Sequence, residues 1–209
     1  MLDVAGPDTT IADFLDAAAR KQPTPGGGSV TALVGALATS MGEMTLNYST
    51  GRKANADEAE RVLRENVAHM TRARGLLLEL MAEDQRAYAE LTAAKKCDDA
   101  DPRKVEIIEQ ATVGAIRVPE AIMATGMEVI ACAVRAAPHA NRWLLSDLAV
   151  CGELAMATIR CGAINVAANL ADVRDVDRRR LREESASIAR RGVEALRALL
   201  ETIEQRTRA

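Results

Sequence analysis

Two helical stripes in this sequence carry polar side chains where packing calls for apolar ones. Leu63, Val67, Met70, Leu77, Leu80, Met81, Tyr88 and Leu91 recur at helical spacing, and Asp84 falls on that stripe, seven residues after Leu77 and four before Tyr88. The second stripe runs Asp147, Cys151, Leu154, Thr158, Cys161, Asn165, Asn169, in steps of three or four. Asp147 and Asn165 stand 18 residues apart, a whole number of turns at about 3.6 residues each. A carboxylate on a core-facing stripe is costly unless it meets a partner or a cavity. Beside a cationic reaction centre it stabilises charge, and with its pKa raised by burial it carries a proton. Amides at i, i+4, as at Asn165 and Asn169, can orient a ligand or a water. Two readings are open: the three side chains satisfy one another in a closed interior, or they line a ligand cavity with Asp84.

A third chemical feature is a piece of bare main chain, Pro23-Thr24-Pro25-Gly26-Gly27-Gly28-Ser29. The prolines stop any helix running through them. The apolar segment Val30 to Asn47 then reads as a buried helix, its N-terminal amides presented by the glycines. Such an end offers unpaired N–H groups and partial positive charge to a carboxylate, phosphate or polarised carbonyl. No Gly-Lys-Ser/Thr follows and no strand precedes, which excludes a P-loop and a dinucleotide fingerprint. A plain corner between helices is the competing explanation, although three glycines exceed what a corner needs. Ser29 has no histidine at a partner position, so its hydroxyl is read as a helix cap and not as a nucleophile.

These features need helices to hold them. Aliphatic and small residues dominate, aromatics reduce to Phe14, Tyr48, Tyr88 and Trp143, and β-branched alternation is missing. The spacing predicts an all-α, single-domain antiparallel bundle of about six to seven helices over residues 1–209, one of them kinked at a proline. Thr10 caps a first helix whose face is Ile11, Phe14, Leu15 and Ala18. A long helix covers about Asn55 to Lys95, and Asp101-Pro102 opens the next. Pro119 must kink or break that one, and its pattern resumes from Ile122 to Val134. Asn141 to Asn169 and an amphipathic C-terminal helix follow.

The net charge of −3 gives no basic field for nucleic acid. The longest apolar run, Val30 to Gly42, is too short to span a bilayer. Cys97, Cys132, Cys151 and Cys161 form no CxxC pair and read as reduced, buried thiols of a cytoplasmic protein. His69 and His139 are the only histidines, so a His-rich metal centre is excluded; His69 is read as structural or surface, and Glu128 as half of a surface ion pair.

The chain resembles the cyclodeaminase/cyclohydrolase family of folate one-carbon metabolism over nearly its whole length. The landmarks are the 23–29 motif, Glu83-Asp84 with Tyr88, the run ending at Pro119, Asn141 ahead of Ser146-Asp147-Leu148, and the Asn165…Asn169 pair. The resemblance implies a homodimer of all-helical subunits with a folate cleft beside the glycine loop, and neither metal nor redox cofactor. Where the family usually carries a Gly-Lys-Lys-Lys-Tyr-like stretch, this chain reads Gly51-Arg52-Lys53-Ala54-Asn55. The cations survive and the aromatic is lost, which bears on the substrate more than on the fold.

Family reactions pass through one carbon held between N5 and N10 of tetrahydrofolate. Water opens the methenyl ring to the 10-formyl product, or N10 closes onto a formimino carbon and ammonia leaves. Each needs a carboxylate near a cationic centre and a route for protons. Asp84 and Asp147 are the catalytic candidates, one stabilising the cation and the other moving the proton. Asn141, Asn165 and Asn169 would bond the pterin or orient water, Arg52 and Lys53 would hold the glutamate tail, and the amides of Gly26, Gly27, Gly28 and Ser29 would take a polar group. The lone chain, with no formiminotransferase partner domain, favours 5,10-methenyltetrahydrofolate cyclohydrolase; formiminotetrahydrofolate cyclodeaminase and a relative using a non-folate cyclic imine or amidine are the alternatives.

Overall fold

Helix α2, Gly27–Asn47, packs between α3 (Asp57–Lys95) and α5 (Leu145–Asn169) in the computed structural model, which describes residues 6, 8–170, 173 and 175–208. Small residues on α2 set its closeness to its neighbours. A Cβ on Gly35 would stand 3.0 Å from Leu77 and Thr158 carbons, and one on Gly42 would meet Cys151 Sγ at 2.8 Å. Larger side chains at those points would force helices apart that now approach closely. Helix α4 (Lys104–Ala136) packs on both α3 and α5, and α6 (Asp175–Arg208) lies on α4 and α5; α1 (Ile11–Ala19) precedes them, and 3₁₀ turns lie at Ala137–His139 and Arg142–Leu144. The described residues form these six α-helices and no strand, as the periodicity predicts.

α2 and α5 lie antiparallel. At one end Asn165 Nδ2 donates to Thr31 Oγ1 at 3.2 Å; at the other the Asn141 amide just ahead of α5 donates to Ser49 Oγ at 2.8 Å. The core beneath them is built from Leu46, Leu63, Met70, Met123, Ile130, Leu148, Met156, Ile159 and Leu199. A smaller cluster of Phe14, Ala32, Leu77, Met81 and Ile122 lies under the glycine end.

Several local expectations change. Thr10 caps α1, accepting from the Asp13 amide at 3.1 Å, but only Phe14 of the proposed face is buried; Ile11 and Leu15 are 70% and 59% exposed. α4 starts at Lys104, not at Pro102, because Asp101 accepts the Arg103 amide at 2.8 Å in a turn ahead of the helix. Pro119 does not break α4, which runs unbroken to Ala136. Cys161 is exposed and Cys97 half-buried, so only Cys132 and Cys151 fit the buried-thiol expectation; all four are free. Glu128 does form the expected surface pair, with Arg135 at 2.8 Å. His69 Nδ1 and Cys132 Sγ lie 3.4 and 3.3 Å from that carboxylate, with the Arg135 guanidinium also 3.1 Å from the sulfur.

Candidate active site

Gly26 is the N-cap of α2 and brings no side chain to the orphan amides of the first turn. The cap comes from α3 instead. Asp84 Oδ2 accepts from the Ser29 amide at 2.9 Å and lies 2.9 Å from Ser29 Oγ, which also reaches Met81 O at 3.0 Å. The Ser29 hydroxyl is therefore a link between helices and not the cap the sequence suggests. Among the described residues, the N–H groups of Gly27 and Gly28 meet no protein acceptor. Glycine at 28 is a steric requirement, since a Cβ there would lie 1.8 Å from Asp84 Oδ1.

Burial raises the Asp84 pKa above the usual carboxylate value, and the two bonds from Ser29 only partly offset this. Ser29 suits either protonation state. Ionised Asp84 accepts from the hydroxyl; protonated, Asp84 can donate to Oγ while the hydroxyl donates to Met81 O.

Opposite Asp84 stand the two asparagines of α5. Asn165 Nδ2 bonds Thr31 Oγ1, whose own proton goes to Gly27 O at 2.6 Å. Asn169 Nδ2 donates to Ala115 O at 2.7 Å. Together with Thr24, Gly26, Gly27, Gly28, Tyr88 and Ala115 these groups line an open cleft of about 240 Å³. The closed interior in which the polar groups satisfy only one another is thereby ruled out for Asp84, Asn165 and Asn169. Thr31 and Ala115 were not legible as site residues: a threonine inside an apolar helix reads as core, and a backbone carbonyl has no sequence signature.

The other sequence candidates lie elsewhere in the subunit. Asp147 sits in the first turn of α5, about 27 Å along the helix from Asn165. Arg52 and Lys53 follow the C-terminus of α2, about 30 Å from Gly27 at 1.5 Å per residue. Asn141 caps the 3₁₀ turn beside them, accepting from the Trp143 amide at 3.2 Å. This far end is cationic. Arg206 donates to Ala137 O and Ala140 O, and burial, with Arg52 and Arg142 nearby, lowers its pKa. Arg142 lies 5.2 Å over the ring of Trp143, which is 78% exposed. Within one subunit, then, Asp84, Asn165, Asn169 and the glycines converge, and Asp147, Arg52, Lys53 and Asn141 do not join them.

The cleft thus joins a glycine-capped helix, an acid on the next helix that supplies its missing side-chain cap, and two facing amides within an all-helical subunit. The chain belongs to the formiminotransferase-cyclodeaminase family, whose model matches residues 10–188. It is 31% identical to methenyltetrahydrofolate cyclohydrolase of Methylorubrum extorquens, over 88% of this chain and 90% of that protein. It is 27% identical to formimidoyltransferase-cyclodeaminase of Gallus gallus over 78% of this chain, which spans 30% of that longer protein. The crystal structure of formiminotetrahydrofolate cyclodeaminase from Thermotoga maritima superposes with a TM-score of 0.86 at 25% identity, covering 95% of this chain and 97% of that one.

Proposed function

We propose that the protein hydrolyses 5,10-methenyltetrahydrofolate to 10-formyltetrahydrofolate. The observation that carries this is Asp84, a half-buried carboxyl of raised pKa facing an open cleft between free backbone amides and two asparagines. The methenyl carbon is cationic, and a carboxylate in a partly dry cleft attracts it. Water adds to that carbon and gives up one proton, which Asp84 accepts. The C–N5 bond then opens, N5 takes a proton from Asp84, and the hydroxyl proton is released as the formyl carbonyl forms, so that one proton leaves overall. The Gly27 and Gly28 amides bind an oxygen of the ligand, and Asn165 and Asn169 hold the ring. This chemistry asks for water and no cofactor.

The resemblance to the cyclohydrolase of Methylorubrum extorquens over most of both chains supports this reading. The fold match to the Thermotoga cyclodeaminase favours a second, in which N10 attacks a formimino carbon and ammonia leaves. Assays on both folates separate them: loss of methenyl absorbance for one, ammonia release for the other. Turnover of methenyltetrahydrofolate that disappears in Asp84→Asn supports the first reading. Ammonia release alone replaces it with the second.

The working unit in this proposal is a homodimer. Val30 and Leu37 on α2, Tyr48 just past its C-terminus, and Val150 and Ile164 on α5 are large apolar side chains that the subunit leaves exposed. A second copy laid antiparallel across these helices would bring its Arg52, Lys53 and Asp147 toward the cleft, where the cations would hold the glutamate tail. Dimerisation measured by sedimentation, and its loss in Leu37→Glu with Ile164→Glu, tests that arrangement. No described helix is long and apolar enough to cross a membrane, and the free thiols support a cytoplasmic setting.

A further inference from the structure

Pro119 lies inside α4, four residues after Ala115. In a helix the carbonyl of Ala115 would accept from the N–H of residue 119, and proline has none. The proline ring also presses on the carbonyl four residues back and tips it away from the axis. That carbonyl is the acceptor for Asn169 Nδ2, at 2.7 Å. Close approach of α5 makes the reach possible: Gly162 sits against this segment, and a Cβ on it would lie 3.3 Å from Pro119 O and 2.4 Å from Met123 Cγ.

A carbonyl accepts and cannot donate, so the bond decides which way round the Asn169 amide stands: nitrogen on Ala115, oxygen free. The same reasoning fixes Asn165. The Thr31 hydroxyl has its proton on Gly27 O, so the Asn165 atom facing it must be the donor nitrogen. Neither asparagine oxygen meets a protein donor among the described residues, and both residues line the cleft. With Asp84, the cleft therefore shows a ligand three acceptor groups on two sides, beside the free amides of Gly27 and Gly28 and the hydroxyls of Thr24 and Tyr88.

We propose that Pro119 is a positioning residue of the active site: by leaving Ala115 O without its helical donor, it locks Asn169 with its side-chain oxygen toward the cleft, so that the wall formed by Asn165, Asn169 and Asp84 selects the N–H-bearing edge of the substrate. For the assignment of this wall to substrate binding, the inference rests on the folate reading above. The selected class is a cationic heterocycle with N–H groups along one edge, and an analogue whose ring N–H groups are methylated is refused.

The test is Pro119→Ala, which restores the N–H and draws the Ala115 carbonyl back into the helix. The expected result is a KM for methenyltetrahydrofolate raised about tenfold, the size of one misplaced hydrogen bond, with kcat within about twofold and a melting temperature no lower than wild type. Asn169→Ala raises KM similarly, and the double variant is no worse than Asn169→Ala alone. Additive effects of the two substitutions, or an unchanged KM in Pro119→Ala, overturn the proposal. Should Pro119→Ala fold poorly, the wild-type protein serves: slow solvent exchange of the Asn169 side-chain NH₂ protons in its NMR spectrum supports the lock, and fast exchange refutes it. These exchange data hold even if wild type turns over neither folate, so failure of the folate reading and failure of the lock are told apart.

Discussion

The two ends of the α2–α5 pair are made of different materials. At the glycine end the main chain is bare, one acid is held by two bonds from Ser29, and both amides have fixed orientations. At the far end long cationic side chains and an exposed tryptophan stand in solvent around Arg206. On the function proposed above, the first end works by geometry and the second by attraction. Groups that act on reacting atoms need neighbours that restrain them, whereas groups that hold a flexible anionic tail work by charge and tolerate motion.

The contrast breaks most severely at Asp84. In Asp84→Asn the amide oxygen can take the place of Oδ2 and accept from the Ser29 N–H, while the Ser29 hydroxyl donates to that oxygen or to Met81 O, so the fold survives while proton transfer stops. A fall in kcat of about 10³-fold is expected, read from single-turnover hydrolysis, with an unchanged circular dichroism spectrum. Gly28→Ala comes next. Its Cβ falls 1.8 Å from Asp84 Oδ1, and the carboxyl must leave its place. We expect about a 10²-fold loss of activity with about 1–3 kcal/mol of stability, measured by urea unfolding.

At the far end the effects are smaller and fall on KM. Replacing Arg52 and Lys53 by alanine should raise KM about tenfold, and should do so less as salt is added. If the partner's cations serve the cleft, an equimolar mixture of that variant with Asp84→Asn regains, at substrate well below KM, about a quarter of wild-type activity: half the dimers are mixed, and one of the two sites in each is intact. No regain of activity would confine each site to one subunit.

The smallest effect is on stability. Because burial raises the Asp84 pKa, the native state holds this proton more tightly than the unfolded chain does. Its contribution is most favourable below the unfolded value of about 4 and declines as pH rises through the folded one. The melting temperature of Asp84→Asn should therefore gain on wild type as pH rises from about 4 through the folded-state pKa. The acid limb of kcat/KM should sit above the ordinary carboxylate range for the same reason.

The helices were legible because most carry a 3.6-residue stripe, α2 a continuous apolar run, and because they stop at proline, glycine or a charged turn. α3 departs from its expected start by only two residues. Asp84, Asn165 and Asn169 were legible as polar residues on apolar stripes. Periodicity gives the face a residue occupies but not which end of a neighbouring helix it meets, so Asp147 was grouped with residues about 27 Å away. The role of Pro119 was illegible for another reason. A proline in a helical pattern announces a missing hydrogen bond, but which distant donor answers the freed carbonyl is a fact of tertiary structure.

The Ser29 hydroxyl faces both Asp84 and Met81 O. Whether the acid is charged or neutral, a simple turn of one hydroxyl rotor supplies what it needs. A catalytic cycle that loads and unloads this acid can run through both halves with the framework standing still, its only moving part a hydrogen atom.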